Sequence, residues 1–431
     1  MYKSVETVIV GGGQAGLATS YYLKKEHHEH IILEQAPQVA DAWRNHRWDS
    51  FSLLTPNWSF RLPGAEYDGP APDGFMPKDE ILQRFEQYTA KEHFPIEYNQ
   101  KVESIDRDVE DDSYLVHNRG RTYLARNVVI ATGLFQQAKV PAFSASIPAE
   151  ITQITADKYR SPASLPPGAV LVVGSAQSGC QIAEELYLSG RKVYLSLGSA
   201  GRVPRRYRGK DIYEWMQIVG HLDRTPDMLP SPKGKFASNP HVSGRDGGRT
   251  LNLHQFARDG VILLGHIRGV EGRLLHLAGD ANECLAKSDQ VEVDLVAKID
   301  GFVTRNGLDV PEETLPALKD GFKDAERLNL DLAVEGITSI IWAVGFNFDF
   351  SMIHLPVLDG DGFPLQNRGV TNYRGLYFVG MPWIYKFKSG HLLGMGEDAA
   401  YIASKITGPD TSNSHYPVST ITMAQVRKYS K

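Results

Sequence analysis

Two glycine-rich runs, far apart in the sequence, hold the residue types best suited to chemistry. They are Gly11-Gly12-Gly13-Gln14-Ala15-Gly16 and Gly174-Ser175-Ala176-Gln177-Ser178-Gly179. Each follows an apolar run, Val8-Ile9-Val10 in one case and Val170-Leu171-Val172-Val173 in the other. In a strand–loop–helix unit the first glycine permits a tight turn and the second lets backbone approach a pyrophosphate. The third lets the helix pack close to the strand. The pyrophosphate then meets unpaired N–H groups at the positive end of a helix dipole. Ala176 stands at the middle position of the second loop and is still small. One such loop implies one dinucleotide. Two imply a pair, and so electron transfer between them.

The strand after each loop separates the ligands. His30-Ile31-Ile32-Leu33 leads to Glu34, whose carboxylate accepts from ribose hydroxyls and repels a 2′-phosphate. Lys192-Val193-Tyr194-Leu195-Ser196 ends without an acid, and Arg202, Arg205, Arg206 and Arg208 follow. Planar cations suit a 2′-phosphate. FAD is therefore expected at the first loop and NADPH at the second, with Arg205 and Arg206 as phosphate ligands. A solvated basic loop is the alternative for any one arginine.

The elements that must position these loops follow from periodicity. A helix is predicted over Asp79–Phe94 with Ile81, Leu82, Phe85 and Tyr88 on one face. A hairpin is predicted about Asn118-Arg119-Gly120, then a buried strand at Val128–Ile130 running into Ala131-Thr132-Gly133. Ile212, Trp215, Met216 and Val219 share a helical face. Further strands are expected at Ile340–Ala343 and Leu376–Val379, and a helix at about Gly396–Ile406. Trp383, Tyr385 and Phe387 alternate as in a half-buried strand, and the residues beyond Gly408 read as a loose polar tail. His241–Arg249 reads equally as a turn or as a substrate entrance. The fold class is α/β, with two Rossmann-like dinucleotide-binding domains. The FAD domain is expected over 1–166 and 336–431, interrupted by an NADPH domain over 167–335 whose part from about 198 is less regular.

At 431 residues there is room for two or three domains. A net charge of -5 gives no electrostatic reason to expect nucleic acid or an anionic membrane as partner. No apolar run is long enough to span a bilayer, and the first strand begins too early to leave room for a signal peptide. Cys180 and Cys284 provide neither a disulfide framework nor metal-ligand spacing, so a reducing cytoplasm and no metal are expected. Composition leaves oligomeric state open, a homodimer included.

Further motifs carry a family resemblance. They are Trp43-Arg44 through Trp48-Asp49-Ser50 to Leu53-Leu54-Thr55-Pro56, then Ala131-Thr132-Gly133 and Ala343-Val344-Gly345-Phe346. Gly375–Gly380 and Gly394–Ala400 complete the set. With the two loops they resemble class B flavin-dependent monooxygenases, particularly the bacterial flavin-containing-monooxygenase-like proteins, over roughly residues 5–407. The resemblance implies that Gly11, Gly13, Gln14, Gly16, Glu34, Gln35, Trp43 and Arg44 contact FAD. It puts Thr55, Val102, Ala131, Thr132, Gly133, Gly380 and backbone near Leu393 at the flavin. Gly174, Ala176, Gln177, Ser178 and Gly179 would hold the NADPH pyrophosphate, and Val344 and Gly345 join the cofactor set.

The activity implied is reduction by NADPH, reaction with O2 to a flavin C4a-hydroperoxide, and oxygen transfer to nitrogen, sulfur or a carbonyl of a small organic substrate. Chemistry resides on the flavin. His391 is a weak catalytic candidate against an ordinary hydrogen-bonded histidine. One departure stands out. In the family pattern F-x-G-x-x-x-H-x-x-x-Y/F, aligned on Tyr159, this chain has Ala149, Ile151 and Thr155 at the first three positions. Two other classes share the plan: an NAD(P)H-dependent reductase of quinone or ferredoxin type, and a redox-sensing flavoprotein. A disulfide reductase would need a cysteine pair at the flavin.

Overall fold

A computed structural model describes residues 2–108, 110–133, 135–323 and 326–408. The first glycine loop joins β1 (Tyr2–Val10) to α1 (Gln14–Lys25), and β2 (His30–Leu33) pairs parallel to β1 from Thr7–His30 to Val10–Leu33. Val8, Ile9 and Ile32 are fully buried, as expected of strands covered on both faces. α2 (Lys78–Glu92) buries Ile81, Leu82, Phe85 and Tyr88, the face its spacing predicts.

After the short β3 (Ile96–Glu97) come β4 (Val102–Asp108), β5 (Ser113–Asn118) and β6 (Arg121–Ile130), an antiparallel meander. Asn118 pairs with Arg121 across the Arg119-Gly120 turn. The expected hairpin arm and the expected buried strand are one element. β6 continues past the hairpin to lie parallel to β1, with Val10 opposite Ile130.

A second, wholly parallel sheet follows. It contains β7 (Thr152–Thr155), β8 (Ala169–Val173), β9 (Val193–Ser196), β10 (Ile262–Leu264) and β11 (Ile337–Trp342), in the order β7-β11-β8-β9-β10. α3 (Gln177–Leu188) follows the second loop, and α4 (Ala281–Asn306) follows β10. The chain then returns to the first sheet. β12 (Leu376–Phe378) pairs parallel with β6, and α5 (Met395–Thr407) packs on α1.

The expected boundaries at 166/167 and 335/336 are corrected by this pairing. Thr152–Thr155 and Ile337–Trp342 both belong to the second sheet, because β11 supplies the neighbour that β8 needs on its open side. The region after 198 is also more regular than expected. It holds the 26-residue α4 and a three-stranded sheet of Ile267–Glu271, Leu274–Leu277 and Asn329–Asp331. α4 hid because Ser288 and Glu292 interrupt the apolar stripe on its buried face.

The helix Ile212–Ile218 is present, with Ile212, Trp215 and Met216 buried. The alternating aromatics at 383–387 form no strand. Trp383 is left-handed at φ +61 and packs edge-on to Phe387 at 5.3 Å, while Arg368 covers the Tyr385 ring at 4.3 Å. The tail beyond Gly408 lies outside the described residues. Among the described residues no helix is long and apolar enough to cross a membrane.

Candidate active site

Both glycine loops open into one cavity of about 1180 Å³. A pocket for one ligand holds about 300–1,000 Å³. Gly11, Gly13 and Gln14 line it from the first loop, and Gly174, Ala176, Gln177 and Ser178 from the second.

The two loops share a geometry. Gly11 has φ +107, and a Cβ there would stand 2.6 Å from the Ala131 carbonyl oxygen. Gly174 has φ +105, and its Cβ would stand 2.5 Å from that of Ala343. A Cβ on Gly16 would come within 2.0 Å of the Gly11 oxygen, and one on Gly179 within 1.8 Å of the Gly174 oxygen. Gly16 and Gly179 stand outside the lining and seat the helices that follow. Gly13 borders open space.

Glu34 is buried and accepts from the Gly12 N–H at 2.6 Å and the Ala36 N–H at 2.8 Å. Burial raises its pKa, and these N–H partners oppose the rise. Gln14 donates to the Gly390 carbonyl at 3.1 Å, tying the first loop to the closing segment, while its Oε1 is buried without a partner. In the second loop the Gln177 amide brackets Val242, donating to its carbonyl and accepting its N–H at 3.1 Å.

Gln35, Trp43, Thr55, Val102, Ala131, Thr132, Gly133, Val344, Gly345 and Gly380 all line the cavity. Gly133 at φ +72 and Gly345 at φ +90 end the corresponding segments after β6 and β11. Phe135 and Phe346 meet edge-on at 5.1 Å between them. His391 also lines the cavity. Its ring packs edge-on to Phe387 at 5.2 Å, and burial lowers its pKa to about 4, leaving a neutral imidazole.

Several expected residues lie elsewhere. Arg44 pairs with Glu86 on α2 at 2.6 Å, and Leu392 rather than Leu393 lines the cavity. None of the four arginines after β9 lines it. Arg205 is 2% exposed, donates to the Leu54 carbonyl at 2.8 Å, pairs with Asp211 and stacks on Phe75 at 4.7 Å. Arg206 donates to the Gly247 and Gly248 carbonyls, Arg202 pairs with Asp289 and Glu292, and Arg208 pairs with Asp300. Ser196, Gly198, Ser199 and His266 border the cavity past β9 instead.

Ser238 and Asn239 line the cavity, whereas His241–Arg249 behaves as a packed turn, with Gly244 set against the Leu53 carbonyl. Trp383 and Tyr385 do not line the cavity. Tyr159 donates to Glu185 at 2.9 Å, and Ser50 donates to the same carboxylate at 2.6 Å, so the surviving signature residue joins the two units.

Sequence reasoning missed Arg47. Its guanidinium lies over Phe135 at 4.5 Å, Phe51 at 5.5 Å and Trp43 at 5.6 Å, on the cavity wall. The only sequence signal was a cation among aromatics at 43–51. Neither cysteine lines the cavity. Cys180 is buried and donates to the Ser175 carbonyl, and Cys284 lies in the first turn of α4.

Comparison with known proteins adds three findings. Residues 8–211 match the family model described as pyridine nucleotide-disulphide oxidoreductase. The chain is 33% identical over 410 residues to an uncharacterized CzcO-like oxidoreductase of Geobacillus kaustophilus, covering 94% of this chain and 99% of that one. It is 29% identical over 405 residues to the uncharacterized oxidoreductase CzcO of Bacillus subtilis, covering 94% and 99%. Among solved structures, a flavin-containing monooxygenase from Stenotrophomonas maltophilia superposes with a TM-score of 0.63 at 20% identity, over 94% of this chain and 98% of that one.

Proposed function

The chain belongs to the CzcO-like family of oxidoreductases, and from that premise we propose that it is an FAD-dependent, NADPH-reduced monooxygenase. Its substrate is a small organic molecule oxygenated at nitrogen, sulfur or a carbonyl. The observation that carries this reading is the pair of matched glycine loops facing one cavity, with the Ala131–Gly133 and Ala343–Gly345 segments between them. The fold shared with a flavin-containing monooxygenase supports it.

The residues fit two dinucleotides. Gly13 leaves open space for a pyrophosphate at the start of α1, Glu34 stands ready for ribose hydroxyls, and the buried Gln14 Oε1 has no donor of its own. At the second loop Ala176 lines the cavity at the position matching Gly13, for the nicotinamide dinucleotide. No carboxylate borders the cavity at Ser196–Ser199, where the first unit has Glu34. Bound FAD would supply the hydride acceptor and the oxygen-activating centre. The chain's own task is to hold both nucleotides in register and to keep water out. Trp48, Phe51, Leu53, Phe135 and Phe143 give the wall the apolar surface this needs. Disulfide reduction lacks its thiols, since neither cysteine reaches the cavity.

The test is to reduce the protein anaerobically with NADPH and then mix it with oxygen. We expect a delayed return of the flavin colour, and a hydrogen peroxide yield that falls when an amine, sulfide or ketone is oxygenated. Immediate reoxidation, with peroxide matching NADPH for all three substrate classes, overturns the reading.

A further inference from the structure

Beside the second-loop end of the cavity two chain segments bring together an imidazole, a carboxylate and a thiol. His266 follows β10, Asp280 precedes α4, and Cys284 lies in its first turn. One ligand-type atom from each lies within 4.8 Å of the others. His266 Nδ1 is 2.8 Å from Asp280 Oδ2 and 3.7 Å from Cys284 Sγ. The second Asp280 oxygen accepts the backbone N–H of His266 at 2.8 Å, which fixes the carboxylate against the ring. Cys284 is buried, whereas the His266 side chain is 45% exposed and, with Ile267, lines the cavity. The cluster is closed behind and open in front.

We propose that His266, Asp280 and Cys284 bind one divalent transition-metal ion of the Zn²⁺ type, with its fourth position open to the cavity. Zinc bonds of about 2.0–2.3 Å place tetrahedral ligand atoms roughly 3.3–3.8 Å apart. The imidazole–thiol separation already fits. The imidazole–carboxylate separation must widen by about half an ångström, which follows when the ion replaces the hydrogen-bonding proton between them. A thiolate with an imidazole selects zinc-like ions over magnesium or calcium.

The protons balance without redox chemistry. A carboxylate only accepts, so Nδ1 carries the ring proton before binding. The ion takes Nδ1 and the ring proton moves to Nε2, while the Cys284 thiol gives its proton to solvent. One proton is released per ion. The charges around the cluster are mixed. Arg268 lies 3.8 Å from Asp280 Oδ2 on a side chain 68% exposed, which lets it withdraw. Lys287 is held by Glu283 at 2.5 Å, and Glu326 accepts the Asn282 N–H.

The experiment uses full-length, flavin-bound protein without nicotinamide dinucleotide, so its outcome is separate from that of the nucleotide reading. Co²⁺ titration should give one equivalent of tetrahedral cobalt with thiolate charge transfer, displaced by Zn²⁺ with release of one proton. Loss of a supporting residue at metal sites costs 10–100-fold in affinity, so Cys284→Ser and His266→Gln, which remove ligands, should each cost at least about tenfold. Absence of saturable Co²⁺ binding by the unmodified chain, or an affinity unchanged in either variant, overturns the proposal.

Discussion

Arg205 has the residue type and position of a phosphate ligand and surroundings that give it another task. Its guanidinium is enclosed by Asp211, the Leu54 carbonyl and Phe75. Removing one partner of a buried pair typically costs about 3–5 kcal/mol, because the other charge is left uncompensated. Arg205→Ala should therefore lower stability by about that amount in urea unfolding, and weaken NADPH and NADH binding alike. Arg206→Ala should stay within about 0.5 kcal/mol of the parent, being at the surface. A stable Arg205→Ala protein that loses only NADPH would restore the phosphate role. The presence of the arginines was legible in the sequence. Their partners Asp211 and Leu54 were not, since nothing local says which carboxylate or carbonyl a long side chain will reach. Glu34 is the opposite case, because strand, loop and spacing fix its place. Glu34→Ala frees the Gly12 N–H and removes a charged acceptor, worth about 1.5–3 kcal/mol. The variant should retain FAD about 10–100-fold less tightly by ultrafiltration.

The helices that follow the two loops give a matched pair of tests. Gly16→Ala places a methyl group 2.0 Å from the Gly11 oxygen, and Gly179→Ala places one 1.8 Å from the Gly174 oxygen. Each must push its helix off its strand. Gly16→Ala should purify without colour, and Gly179→Ala should keep its flavin but resist reduction by NADPH. Equal loss of flavin in both would deny that the loops serve different ligands. α5 carries a pH signature. Burial of Asp398 raises its pKa from 3.8 to about 6. The folded chain therefore holds a proton that the unfolded chain has released, and stability falls as pH rises from about 4 to 6. Asp398→Asn should flatten that slope and add up to about 3 kcal/mol at pH 8, with little change at pH 4. An unchanged slope in urea titrations would contradict it. Elements with a clean period, such as α2, were legible in the sequence. α4 was not, because Glu292 and Ser288 sit on its buried face beside Arg202.

Between the two sheets the chain makes what neither builds alone. The first sheet opens, the chain leaves to form the second, and it returns with β12 and α5 to close the first. That the plan has two dinucleotide units was readable from two short motifs, since glycine spacing is dictated by backbone approach. The membership of β7 and β11 was not readable, because an apolar run such as Ile340-Ile341-Trp342 fits either sheet until its neighbour is known. Arg47 against Phe135 is likewise a product of assembly, joining segments far apart in the sequence. The proposed function sets one requirement at this scale: a reductant on the second loop must reach a flavin on the first through the shared cavity. Anaerobic mixing of the purified, flavin-loaded protein with NADPH, followed at the flavin absorbance, tests this most directly. The structure predicts complete bleaching by one equivalent of NADPH per chain, and a full complement of FAD that neither NADPH nor NADH can bleach would contradict it.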